Sequence, residues 1–317
     1  MIEFRLKRLA RRARQIGSYI SPLAIVFAIL TLSAGSLSWA GNFYDGQTGQ
    51  VVGPDEILNH LGAGTVLIAS ELHDHEVHHQ NQRDLLVKLS GAPFAISVGM
   101  EFFSYPDQAY VDDYVAGRTE EATFLKQIKW DGGMSLLMQP LVQLMNFAFE
   151  FYRFQVRFPA LHNGQTLALN FPRELSSKVA KGGLAGLSDA EKTMMPPQFE
   201  RGAQSYFERF REIMKDHAKE EQIQNYFTAQ SLWDDTMAWR ASSYLSSHPE
   251  ALLMIIVGDF HVAYQDGLIA RLKSRGVKKV VSLSQIDTTQ LSESERKTEI
   301  EPSPKYGPRA DFVFDAR

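Results

Sequence analysis

The chain has 317 residues, 44% of them hydrophobic and 22% charged, and a formal net charge of −4 at pH 7. That composition excludes an intrinsically disordered chain and allows one large domain or two small ones. The lack of any cysteine excludes disulfides, thiolate metal sites and cysteine nucleophiles together, leaving His, Asp, Glu and Tyr to carry any chemistry.

Arg5, Lys7, Arg8, Arg11, Arg12 and Arg14 form a basic block opposed only by Glu3, and no charge follows from Gln15 to Tyr44. Leu23–Leu32 is strongly apolar, and Ser38-Trp39-Ala40 places small residues where a signal peptidase reads. Residues 1–40 therefore read as a secretory signal peptide cut after Ala40. An uncleaved N-terminal membrane anchor, with the basic block on the cytoplasmic side, stays open. No cysteine ends the apolar run, which excludes lipid attachment there. The expected location is exported, periplasmic or membrane-associated through the N-terminus. Cleavage would remove six basic residues and one acidic residue, leaving 27 Lys+Arg against 36 Asp+Glu, a net of −9. Such a balance excludes a nucleic-acid partner, which needs a basic footprint.

Beyond the connector, Pro54–Leu61 predicts a short helix and Thr65–Ser70 a buried strand. Glu76–Leu89 has helical spacing through Leu85, Leu86 and Leu89. Phe94–Met100 is a second strand, and Asp107–Val115 and Glu120–Ile128 are helices. Leu136–Phe154 predicts a long helix. Thr166–Phe171 is a third strand, after which Pro172-Arg173-Glu174 opens a helix. From Phe199 to about Ser247 the pattern is helical. Leu252–Val257 is a fourth strand, Gly267–Arg275 a helix and Val277–Leu283 a fifth strand.

Short apolar strands alternating with helices predict an α/β fold: a central, mostly parallel sheet covered by helices on both faces. The segment 174–250 carries no strand signal and reads as a helical insertion or lid between the third and fourth main strands. One domain would then span 41–286, and 287–317, rich in Ser, Thr, Glu and Pro, reads as a mobile polar tail.

Ligand sites in open α/β sheets lie beyond the carboxyl ends of the strands. The first main strand ends in Ser70-Glu71-Leu72-His73 and the fourth in Gly258-Asp259-Phe260-His261. Each sets an acid and a histidine two apart, which an extended chain points to the same side. The second strand adds Glu101. If these ends are neighbours, Glu71, His73, Glu101, Asp259 and His261 surround one point. Mixed imidazole and carboxylate donors suit a divalent transition metal, which could activate water. Without metal, a His–Glu pair could act as general base and orienting partner.

Glu71-Leu-His73 with His78, His79 and Gln82, Gly99-Met-Glu101-Phe-Phe103, and Gly258-x-x-His261-Val262 together resemble the ChaN group of haem-binding uptake proteins. That group shares a superfamily with the Tiki and TraB proteins and, more remotely, with erythromycin esterases. The likeness extends through Trp130, Asn170-Phe-Pro172-Arg173, Gly183-Leu184, Gln230 and Asp235-Thr-Met237-Ala238, covering roughly residues 50–285. It implies an exported protein of iron acquisition that binds haem, with a homodimer among the assemblies it allows. His78, His79, Gln82, Asn170, Arg173 and Asp235 are then cofactor-binding candidates. Tiki-like relatives are metal-dependent proteases, and carried over by position their residues would be His73, Glu101 and His261. A metal-dependent hydrolase acting on a peptide or other small ligand, through Glu71, His73, Glu101 and His261, is the alternative. Ser70 stands where the first Tiki-like motif expects Gly. Haem also needs an axial donor. Tyr206 and Tyr226, in the helical segment, are the tyrosines expected to flank the site, with core packing as their plainer role.

Overall fold

The computed structural model describes residues 39–130 and 149–317. The proposed signal peptide, up to Ser38, and most of the expected helix Leu136–Phe154 lie outside the described residues. The strands are β1 (Asn42–Asp45), β2 (Val51–Val52), β3 (Thr65–Glu71), β4 (Ile96–Ser104), β5 (Thr166–Asn170), β6 (Leu252–Gly258), β7 (Lys279–Ile286) and β8 (Phe312–Asp315). The helices are α1 (Pro54–Asn59), α2 (Glu76–Leu89), α3 (Gln108–Val115), α4 (Glu121–Gln127), α5 (Arg153–Arg157), α6 (Arg173–Gly182), α7 (Asp189–Lys192), α8 (Gln204–Met214), α9 (Glu220–Ser247), α10 (Leu268–Ser274) and α11 (Glu293–Ile300).

The strands form one sheet in the order β2-β1-β8-β7-β3-β6-β4-β5. Strands β3 to β8 run parallel, and β1 and β2 join antiparallel at one edge. The central strands are buried along their whole length, which is why they read as unbroken apolar runs instead of alternating ones. Their side chains still alternate between two cores. Leu67, Ala69, Met254 and Ile256 face Leu85, Leu86 and Leu89 of α2. Val66, Ile68, Leu253 and Ile255 face Met237, Ala238 and Ala241 of α9 and Leu268, Ile269 and Leu272 of α10.

Two expectations change. The segment between β5 and β6 is helical as expected, but the C-terminal half of α9 packs on the sheet itself, so it supplies a core layer instead of a lid over the edge. Residues 287–317 are not a polar tail. They hold α11, started by a Ser292–Glu295 capping box, and β8, which lies inside the sheet between β1 and β7. At the far edge, the Gln108 side chain accepts from Ala168 N–H (2.8 Å) and donates to the Thr166 carbonyl (2.8 Å), satisfying the open side of β5.

Candidate functional site at the strand ends

The parallel register pairs Glu71 with Gly258, so the ends of β3 and β6 lie side by side, and β4 follows on the other flank of β6 with Met100 opposite Ile256. This brings Glu71, His73, Glu101 and His261 together at the carboxyl edge of the sheet. His73 Nδ1 lies 2.9 Å from Glu71 Oε1. His261 Nε2 lies 3.3 Å from Glu101 Oε1. Glu101 Oε2 accepts the Gly258 N–H at 2.7 Å. Gly258 is needed for the close approach of the two halves: a Cβ there would lie 2.9 Å from His73 Cε1 and 3.0 Å from its Nε2.

Each half has a deeper support. Glu71 is fully buried and accepts from the Tyr152 hydroxyl at 2.5 Å and the Gln82 amide at 2.8 Å, with His79 Nδ1 at 3.3 Å from its Oε2. Burial works against its charge, yet the His73 hydrogen bond and the nearby imidazoles hold its pKa below the usual carboxylate range. His73 moves the opposite way: burial opposes its cation, but Glu71 and Glu101 raise its pKa. On the other half, His261 Nδ1 lies 2.6 Å from Asp234 Oδ1, and Asp234 Oδ2 accepts the Tyr206 hydroxyl at 2.9 Å. Burial disfavours the His261 imidazolium, but Asp234 and Glu101 outweigh it and raise its pKa to about 10. Burial likewise opposes the Glu101 carboxylate, which His261, His73 and the Gly258 N–H bring down to about 2. Asp234 and Glu101 therefore favour the imidazolium form of His261, although burial raises the pKa of Asp234 itself. A general base would instead be poised near neutrality.

Asp259 does not join the site. Gly258 ends β6, and Asp259–His261 turn as a 3-10 helix, so acid and imidazole no longer share a side as an extended chain would place them. The Asp259 carboxylate accepts from Ser70 Oγ (2.6 Å), Ser284 Oγ (2.6 Å) and Arg309 Nη2 (2.5 Å). Ser70, at the position where the first Tiki-like motif expects glycine, is thus a ligand of this buried carboxylate. Asp235 is also turned away, accepting both Arg275 Nε and Nη2 at 2.7 Å, while its neighbour Asp234 faces His261.

His78 and His79 are buried at the start of α2. His78 accepts the Leu72 N–H at Nδ1 (3.0 Å) and lies 3.3 Å from the Ile286 carbonyl at Nε2. Burial, with His75 stacked against it, lowers its pKa to about 4. His79 Nε2 holds the His73 carbonyl at 2.9 Å. Both brace the strand-end turn. Asn170 accepts its neighbour Phe171's N–H at 2.8 Å, and Tyr226 packs half-buried between two apolar clusters. The Tyr206 hydroxyl is buried, and burial together with Asp234 pushes its pKa well above the ordinary phenol value, the opposite of what a tyrosinate donor needs.

Tyr152, Asp234 and Arg309 were not foreseen from the sequence. Gln230 and Asp234 are four apart on α9, the spacing that sets two side chains on one face, and this was the available signal for Asp234. Among the described residues no group of three or more His, Asp or Glu is disposed to hold a metal ion. The expected donors Glu71, His73, Glu101 and His261 are engaged with one another or with neighbouring carboxylates, and Asp259 with Arg309, so the proposed metal set is not assembled.

The family described as haem-binding uptake, Tiki superfamily, ChaN matches residues 57–272. The chain belongs to that family. A solved structure of ChaN from Campylobacter jejuni, described as showing cofacial haem binding, is similar in fold at a TM-score of 0.59 and 17% identity, covering 86% of this ChaN-family chain and 96% of that one. A variant erythromycin esterase in its open conformation gives a TM-score of 0.46 at 9% identity, covering 88% and 97%. No curated protein matches the chain.

Proposed function

We propose that this protein binds haem at the strand-end site, with His73 as the axial donor, in the service of iron uptake. The observation that carries the reading is the His73–Glu71 pair. An imidazole whose Nδ1 is held by a carboxylate is fixed in orientation and made a more basic donor at Nε2, the arrangement common behind metal-ligating histidines. The His73 side chain keeps 16% exposure, against 5% for His261 and none for His79. The family match supports haem as the ligand. Beside the donor, Leu72 is 42% exposed, and the buried Phe102 ring packs edge-on against His73 at 5.0 Å between centroids. Bound haem would supply an iron centre, while the chain's own part is to orient the imidazole through Glu71, Tyr152 and Gln82. The basic block and uncharged run at the N-terminus support export, with cleavage after Ala40 as the expected processing.

Haem added to the protein should shift and sharpen the Soret band and saturate. In His73→Ala the change should be lost or weakened at least about tenfold, a loss of roughly 1.4 kcal/mol. Identical titrations of the two proteins would remove His73 from the role.

A further inference from the structure

Tyr264 and Gln265, just after His261, both adopt left-handed backbone, each with a φ of 62°. Among the described residues no other two adjacent non-glycine residues do so. An L side chain in this region crowds its own backbone, and such strain persists only where the surroundings over-determine it. Here they do. The Tyr264 N–H donates to the Arg309 carbonyl at 2.6 Å, and the Tyr264 ring packs on Tyr306. From α8, the buried Arg209 donates through Nη2 to the Ala263 carbonyl (2.8 Å) and to Asp266 Oδ1 (2.5 Å). Its guanidinium lies over the rings of Phe260 (4.8 Å), Tyr264 (5.1 Å) and Tyr206 (5.2 Å). Gly267 closes the turn, where a Cβ would lie 2.7 Å from the His261 carbonyl oxygen. On the other flank of the site, Arg173 Nη2 holds the Phe102 carbonyl at 3.2 Å. Of these two grips, only that of Arg209 falls on strained backbone.

We propose that the turn 262–267 is a strained latch on the strand-end site, and that Arg209 is the positioning residue that keeps it shut. The two halves of the site meet closely: Gly258 lies against the His73 ring, and Glu101 is held by both the Gly258 N–H and His261. Relaxing Tyr264 and Gln265 to ordinary backbone draws His261 off Glu101 and opens the seam at Gly258. Strain favours opening and the Arg209 contacts favour closure, so two discrete arrangements are separated by a small balance of opposed effects. Arg209 Nε is buried without an acceptor among the described residues, which leaves the closed side of that balance incompletely satisfied. The latch does not depend on which ligand enters. It makes entry depend on α8, which carries Arg209 and lies outside the sheet.

The test is amide hydrogen exchange, comparing Gly258, whose N–H Glu101 holds, with Leu253 and Ile255 in the core of β6. Arg209→Ala should speed exchange at Gly258 at least about tenfold relative to those core amides, the scale of one charge-assisted hydrogen bond. Arg209→Lys, which keeps the charge and loses the fork, should fall between. Gln265→Gly removes strain and leaves every Arg209 contact in place. It should slow Gly258 about threefold relative to the core amides, because left-handed backbone costs glycine little. Opposite shifts in the two variants are the mark of a latch, which loss of packing alone does not produce. If Gly258 and the core amides change together in Arg209→Ala, the latch is overturned. It is equally overturned if Gln265→Gly leaves Gly258 unchanged or faster, and that comparison decides even if Arg209→Ala does not fold.

Discussion

At the residue scale, the site consists of two histidine–carboxylate pairs that meet at Glu101 and Gly258. Four of its members were legible in the sequence because acids and imidazoles follow directly on apolar strands: Glu71, His73, Glu101 and His261. Asp259 misled because alternation was extended past the last residue of β6, where the chain turns into a 3-10 helix. Asp235 was taken for its neighbour because a short motif does not fix helix phase. Asp234 favours the imidazolium form of His261, and this has a consequence for stability. The His261 pKa is raised to about 10 from its ordinary 6.5, so its contribution is complete below 6.5 and is lost as pH rises through about 10. Glu101, lowered to about 2 from 4.5, contributes above 4.5 and loses its share as pH falls through about 2. Asp234→Asn should cost about 3–5 kcal/mol at neutral pH, as expected when one partner of a buried pair is removed. It should also start the alkaline loss at lower pH. Urea unfolding across pH 5 to 10 measures both, and an alkaline limb unchanged by the substitution would show that Asp234 does not hold the His261 proton.

At the scale of elements, the five strands β3 to β7 were legible because each carries a short apolar run, unbroken in the central β6, which is buried on both faces. The others were not. β1 and β2 are short, and Phe312–Asp315 has only four residues after a polar stretch, although it occupies an interior position in the sheet. Its place depends on contacts distant in sequence, which local patterning cannot carry. The C-terminal segment also delivers Arg309 to Asp259, and Arg296 to Asp315 at 2.9 Å, so it ties the sheet to the turn that carries His261. Arg309→Ala leaves the Asp259 carboxylate buried beside only Ser70 and Ser284. A loss of about 3–5 kcal/mol is expected. Truncation after Asp287 should be worse, since β1 would lose β8, its link to the rest of the sheet. Chemical denaturation of the point variant, and solubility of the truncated chain beside it, test this. A truncated chain as stable as the full one would mean that β8 is dispensable.

At the scale of the whole molecule, the fold places chemistry where a parallel sheet leaves its strand ends open, and two helical layers hold those ends in register. The α/β class followed from the sequence, as did the gathering of Glu71, His73, Glu101 and His261 at the strand ends. The supporting shell did not, because Tyr152, Asp234 and Arg309 come from segments between 80 and 240 residues away from Glu71 and join it only through the fold. The central claim is that an imidazole at position 73, oriented by Glu71, is what haem iron meets. The most direct measurement is chemical rescue. His73→Gly should give little Soret change with haem, and free imidazole added to the mixture should restore the wild-type spectrum. A His73→Gly protein that binds haem with the wild-type spectrum before imidazole is added would contradict it.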